Sequence, residues 1–348
     1  MDIRQGRCRL EDSGRTVAVN TNVPYGQGWI VSPLYDLLFL ANLGWMLLLL
    51  PGFASTTDTA IDFWQMYFLT LPHRWITLVV VLLDPDRRDG RGWLLWLIAG
   101  LAALIVFGTF LSNGAFLCLA VVDFIWNAWH FASQHAGILR MYTRKVGGGN
   151  DFLERWGLRG FVTYTALRAA SWATGWAESQ PHFLAMIGML DLLWLAVPTL
   201  LLVINLLGVT PTRIGKLIYL TSVSALYTGF LLSLHFHSVW LMMVFAAAGS
   251  MFHAVEYLAV VTHYAYRRRS IGSDGPFRIL AKSWLLFLGL YVLILGTIGA
   301  WVSRPENDWY NFWLGLNFWA AFVHYAYDGM IWKLRRPETA AALGVIPS

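Results

Sequence analysis

The sequence predicts an all-α, polytopic integral membrane protein of about ten transmembrane helices, with both termini in the cytoplasm. Three observations carry that prediction. First, 57% of the 348 residues are hydrophobic and only 13% are charged, where a soluble chain carries about a quarter charged residues. Second, ten stretches reach the roughly 20 apolar residues that a membrane crossing needs. Third, Lys and Arg fall in alternate loops, the distribution that orients a multi-pass protein.

Residues 1–32 form a polar leader with Arg4, Arg7, Arg9 and Arg15 and no apolar core, so they do not resemble a cleavable signal. The predicted spans are 33–54, 60–83, 92–112, 114–138, 159–177, 183–208, 214–235, 238–265, 279–302 and 309–332. The fifth is the weakest, because it carries Arg168. Basic residues cluster at 87–91, 140–159, 213–216, 267–282 and 333–336, whereas the turns near 55–59, 112–113, 178–182 and 236–238 hold none. Eight or nine crossings would put a basic loop on the wrong side. The transmembrane domain therefore covers 33–336, with a cytoplasmic tail at 337–348, and a cell membrane of bacterial inner-membrane type is the expected location. Nineteen Trp residues suit interfacial aromatic belts. The net charge of +5 is spread over loops and does not form a nucleic-acid patch. Cys8 and Cys118 form no metal or redox motif.

Ionisable residues inside a bilayer usually face a cavity, a partner or a cofactor. Of nine histidines, His182, His235 and His237 fall at outer helix ends. The other six, His73, His130, His135, His253, His263 and His324, lie on four predicted helices that all run from outside to inside. His73 precedes Asp84 by 11 residues, His130 precedes Arg140 by 10, and His324 precedes Lys333 by 9. His253 and Glu256 precede Arg267 by 14 and 11. At 1.5 Å per residue these groups share a level about 14 to 21 Å from the cytoplasmic ends. His135, His263 and Asp328 form a shallower tier, read as a second metal or a proton path. Asp123, Asn127, His130 and Gln134 share one helical face. His130 and His135 diverge by about 140° and cannot serve one centre on an undistorted helix.

Imidazole suits iron, copper, zinc and nickel, and added carboxylates favour non-haem iron. The expected centre is one or two iron ions held by His73, His130, His253 and His324. Glu256 is a candidate ligand or bridge, and Asp123, Asn127 and Gln134 are candidates to fix the ring tautomers. Arg74 or Arg168 could hold a substrate carboxylate or neutralise Glu256. Tyr257, Tyr264, Tyr266, Tyr325 and Tyr327 are read as packing residues. The chemistry that suits such a site is O2-dependent oxidation of a lipophilic acyl, isoprenoid or carotenoid chain entering from membrane lipid, with an electron-donor protein as a further partner.

Leu71-Pro72-His73 with Asp84 at the helix end, followed by His130-Phe131, resembles the Brp/Blh family of polytopic membrane carotene oxygenases. That resemblance implies iron bound by transmembrane histidines and carries His73 and His130 over as ligands. His130-x4-His135 is similar to the first box of membrane desaturases and hydroxylases, although their HxxHH boxes are absent. Two other readings stay open: a haem or pigment protein, with His73 and His324 as axial ligands, and a transporter or proton relay. No mid-membrane lysine is present to form a retinal Schiff base, since Lys216, Lys282 and Lys333 lie at helix ends.

Overall fold

The computed structural model describes residues 28–50, 63–88, 90–113, 116–147, 149–175, 179, 181–304 and 306–345. Most of the leader, Cys8 and the last three residues of the tail lie outside them. The fold is all-α, 84% helical, without strands among the described residues. Among the described residues nine long helices make up the body: α1 (Leu71–Leu83), α2 (Gly92–Asn113), α3 (Leu117–Val146), α4 (Leu158–Ala173), α5 (Pro181–Leu207), α6 (Ile214–His235), α7 (Val239–Arg268), α8 (Trp284–Val302) and α9 (Tyr310–Ile331). A π-helical turn at Met66–Thr70 leads into α1, and another at Leu153–Gly157 leads into α4.

Six of these segments are long and apolar enough to cross a membrane: 63–83, 92–112, 182–207, 211–235, 239–268 and 284–302. This is the arrangement of a multi-pass membrane protein. Two of the six, α6 and α7, are 56% buried over their most apolar stretch, and they form the centre. α2, α5 and α8 are 17–22% buried there and turn Leu111, Leu207 and Leu285 outward. Apolar surface on that scale needs lipid around it. α3, α4 and α9 carry more polar residues, and α3 and α9 bring theirs to the interior.

The predicted first span is not one helix. Its described part is a short helix at Pro33–Tyr35, a π turn at Asp36–Leu40 and a 3-10 helix at Leu43–Leu49, separated at Asn42 in the left-handed region (φ 44°). Non-helical backbone at membrane depth survives only where protein satisfies it. Here Ser222 of α6 donates to the Ala41 carbonyl at 2.6 Å and accepts the Trp45 indole N–H at 3.0 Å. Asp36 accepts from the Ile30 and Val31 amides and from the Tyr142 hydroxyl. Similarly, the predicted span 279–302 divides at Ser283 into a short helix, Pro276–Lys282, and α8.

The basic clusters meet at one end of the bundle. Arg87 and Arg91 donate to the carbonyls of Ile331 and Met330, Arg144 to Leu334, and Lys145 to Ile30. Lys216 pairs with buried Glu154 at 2.6 Å, and Arg268 grips Asp84 through two nitrogens at 2.9 and 3.0 Å. Segments between successive clusters therefore run out from this end and return to it. The tail is part of the same construction. Pro337–Ala342 is helical, Leu343 and Val345 are buried, and Arg87 and Arg267 bind Thr339 and Ala341.

Candidate metal centre

Four imidazoles from four helices close a ring in the interior. His73 of α1 stands 4.9 Å, centroid to centroid, from His253 of α7 and 5.0 Å from His324 of α9. His130 of α3 closes the figure at 5.0 Å from His253 and 4.7 Å from His324. All four side chains are buried. The local sequence explains the aim of each. Pro72 lies inside the continuous helix 63–83, just after the π turn Met66–Thr70, a local widening that accommodates its missing N–H, and His73 follows it. His130 lies on the α3 stripe with Asp123 and Gln134. His324 and Asp328 are four residues apart and so share a face of α9.

Hydrogen bonding separates this ring from the neighbouring His135. Among the described residues, both ring nitrogens of His73 and of His253, and Nε2 of His130 and His324, have no hydrogen-bond partner. Leaving a buried donor or acceptor unpaired costs roughly 1–3 kcal/mol each, and an ion among the rings would take one nitrogen from each. Donor atoms of His73, His253 and His324 lie within 4.8 Å of one another, as do those of His130, His324 and Asp328. Imidazoles bound to one ion at about 2.0–2.1 Å hold their nitrogens roughly 3 Å apart, so small ring rotations suffice for convergence. The two groupings share His324. Its Nδ1 contacts the Thr77 hydroxyl at 2.7 Å, which leaves Nε2 for an ion. One ring nitrogen binds one ion, so His324 can complete only one of the two groupings at a time.

Asp328 belongs to this ring and not to a shallower tier. Its Oδ2 is 3.7 Å from Nε2 of both His130 and His324, and its Oδ1 accepts the Tyr257 hydroxyl at 2.7 Å. Tyr257 also contacts Thr77 at 2.6 Å and receives the Trp332 indole N–H at 3.3 Å. Comparison with family models, curated proteins and solved structures finds no match to this chain. The site therefore stands on its own geometry.

The remaining candidates go elsewhere. Glu256 does not face the histidine ring. Its oxygens accept from Tyr219 (2.6 Å) and Gln134 (2.7 Å) and lie 3.1–3.3 Å from His135 Nδ1. His135 turns away from His130, as the angular offset requires, and its Nε2 contacts Tyr227 at 3.1 Å. His263 is separate from both groups: its Nε2 lies 3.1 Å from the Leu343 carbonyl of the docked tail. Neither arginine neutralises Glu256. Arg168 lies beside Asp191 at 3.6 Å, where Tyr164 and His235 also converge. Arg74 instead shares electrostatic contact with Asp123 and Tyr325. His235 is thus engaged by Asp191, and only His182 and His237 remain simply exposed.

Sequence reasoning missed Thr77 and read Tyr257 and Tyr325 as packing residues, and it gave the orienting role to Asp123, Asn127 and Gln134. Asp123 bonds Tyr325, and Gln134 bonds Glu256 and the His253 carbonyl, whereas Thr77 is the group that holds a ligand ring. Thr77 lies one turn after His73 and Tyr257 one turn after His253, so helical spacing could have flagged both. Tyr219 and Tyr227 carried no comparable signal.

Proposed function

We propose that this chain is a membrane-embedded oxidoreductase that uses a single non-haem metal ion, of iron type, to oxidise a lipophilic substrate with O2. The observation that carries it is the convergence of four buried imidazoles whose inward nitrogens have no protein partner. A carboxylate beside two of these histidines is the donor combination of non-haem iron oxygenases. His73, His130, His253, His324 and Asp328 are the residues that would hold the ion. When bound, such an ion supplies O2 activation. Thr77 holds the His324 ring so that Nε2 faces inward, Tyr257 and Trp332 fix one oxygen of Asp328, and surrounding apolar helices limit water. Four rings about 5 Å apart on a closed figure leave no equatorial space for a macrocycle, which speaks against haem.

The substrate class is an acyl, isoprenoid or carotenoid chain, in keeping with the resemblance to Brp/Blh-type carotene oxygenases. A donor protein is required if the reaction is hydroxylation or desaturation; cleavage that places both oxygen atoms in product needs none. The basic end faces the cytoplasm by the positive-inside rule, with ten crossings, the broken segment at 33–50 included, in a bacterial-type inner membrane. Metal analysis with an absorption spectrum of detergent-purified protein tests the proposal. One equivalent of iron without a Soret band is expected, lost in His324→Ala and kept in His263→Ala. Metal-free wild-type protein or a stoichiometric Soret band contradicts it.

A further inference from the structure

A cavity of about 600 Å³ runs from the histidine ring to the basic end. Its inner end is formed by His130, Gln134, Tyr257, Tyr325 and Asp328. Its mouth carries six cationic side chains: Arg140, Arg144, Arg155, Arg159, Lys333 and Arg335. Asp328, at the deep end, is the one carboxylate among the described lining residues. Between the two ends the wall is apolar, with Ile138, Met141, Val260 and Leu334, and small at Gly137 and Gly329, where an added Cβ would meet nothing within 4 Å. Trp126 and Trp129 also line the cavity and are 38% and 42% exposed.

Some basic residues at this end meet acids, and others, Arg87, Arg91, Arg267 and Arg269, meet only carbonyls or hydroxyls. Arg268 is neutralised by Asp84 and Asp86, Lys216 by Glu154, and Arg278 by Asp274. At the mouth, Arg140 has exposed Asp151. Arg144 shares the same Asp151 electrostatically and donates to the Leu334 carbonyl; among the described residues, Arg155, Arg159, Lys333 and Arg335 have no carboxylate within ion-pair distance. Arg159 lies 5.4 Å from the ring centroids of both Trp129 and Trp156, and its Nε is buried without a hydrogen-bond partner. Cations gathered on one low-dielectric cleft repel one another and focus a positive potential on whatever enters. Loop placement accounts for basic residues at this end of the bundle. It does not account for six of them lining the one described route to the histidines with a single exposed acid, Asp151, beside them.

We infer that the substrate is an anionic amphiphile, a single apolar chain with a carboxylate or phosphate head, bound head-first at the arginine mouth with its chain along the cavity. This rests on the oxidoreductase reading and narrows its substrate class. Arg140 follows His130 by 10 residues on one helix, about 15 Å of rise, so oxidation falls on a chain position roughly that far from the head. A hydrocarbon without a polar head leaves the arginines without a role.

Binding of oleate, lysophosphatidate, oleyl alcohol and acetate to the metal-loaded protein in detergent, followed by Trp fluorescence, tests this. The expected result is at least tenfold tighter binding of oleate or lysophosphatidate than of oleyl alcohol, with acetate far weaker than either. The two anionic arms separate a carboxylate from a phosphate head. Arg155→Gln combined with Arg335→Gln, both at exposed positions, should weaken the preferred anion about tenfold and leave oleyl alcohol unchanged. Gly137→Leu, at a lining position where an added Cβ meets nothing within 4 Å, should weaken every long-chain probe while metal content stays at wild-type level. Equal binding of oleyl alcohol and both anions, or indifference of the double variant to head charge, overturns the inference. Because metal content is read separately, charge-selective binding to a protein that takes up no metal would instead refute the oxidoreductase reading alone.

Discussion

Two histidine clusters lie side by side in this bundle, and hydrogen bonding distinguishes them. Around His135, both ring nitrogens, both Glu256 oxygens, and the hydroxyls of Tyr219 and Tyr227 find partners within 3.4 Å. Around His73, His130, His253 and His324, six ring nitrogens find none. The first set pairs its histidine and carboxylate internally, as a packing network does. The second has an unpartnered nitrogen on every ring, the position an ion would take. A buried histidine therefore says little about function until the fate of its nitrogens is known, and the two sets respond differently when disrupted.

The largest expected effect separates them by metal content. His73→Ala or His253→Ala should reduce bound metal by more than tenfold, whereas His135→Ala should retain it, as measured by elemental analysis of monodisperse protein. Loss of metal in His135→Ala at wild-type stability would erase the distinction. Next, Glu256→Ala strips that cluster of its shared acceptor, while Tyr219 keeps the His135 carbonyl, Gln134 the His253 carbonyl and His135 the Tyr227 hydroxyl. A loss of about 1–3 kcal/mol should appear in thermal unfolding, with metal content retained. Arg268→Ala, which leaves Asp84 buried without its bidentate partner, should cost about 3–5 kcal/mol and provides a control remote from either histidine set.

Smaller effects sharpen the comparison. Thr77→Val removes the group that holds His324 Nδ1 and should weaken metal affinity about 10- to 100-fold, read by chelator competition, with little change in folding. Trp332→Phe removes one hydrogen bond to Tyr257 and should cost about 1 kcal/mol of stability, without altering metal stoichiometry. A Thr77→Val variant with unchanged affinity would show that the ring is held by packing alone.

Much of this was legible in the sequence, for identifiable reasons. Apolar length and the alternation of basic loops announce helices whose basic ends gather together. Depth counted from the cytoplasmic charges brought His73, His130, His253 and His324 to one level, because the helices carrying them run in the same direction. Angular position within a helix was legible for His130 against His135, which lie on different faces. Rotation between helices was not: Glu256 shares a spacing stripe with His253 yet faces α3 and α6, and His263 on that stripe meets the tail. Pairing across helices depends on how each helix is turned in the bundle, which periodicity along one chain segment does not encode. The break at Asn42 was hidden likewise, since an apolar run reads as a span whether or not Ser222 of a distant helix caps an interruption.

X-ray absorption at the edge of the metal in the purified protein tests the central claim most directly. One ion surrounded by at least three imidazoles, with nitrogen scattering at about 2.0–2.2 Å and no metal–metal vector, is the predicted result. A porphyrin signature, a second metal at short range, or fewer than two imidazoles would contradict it.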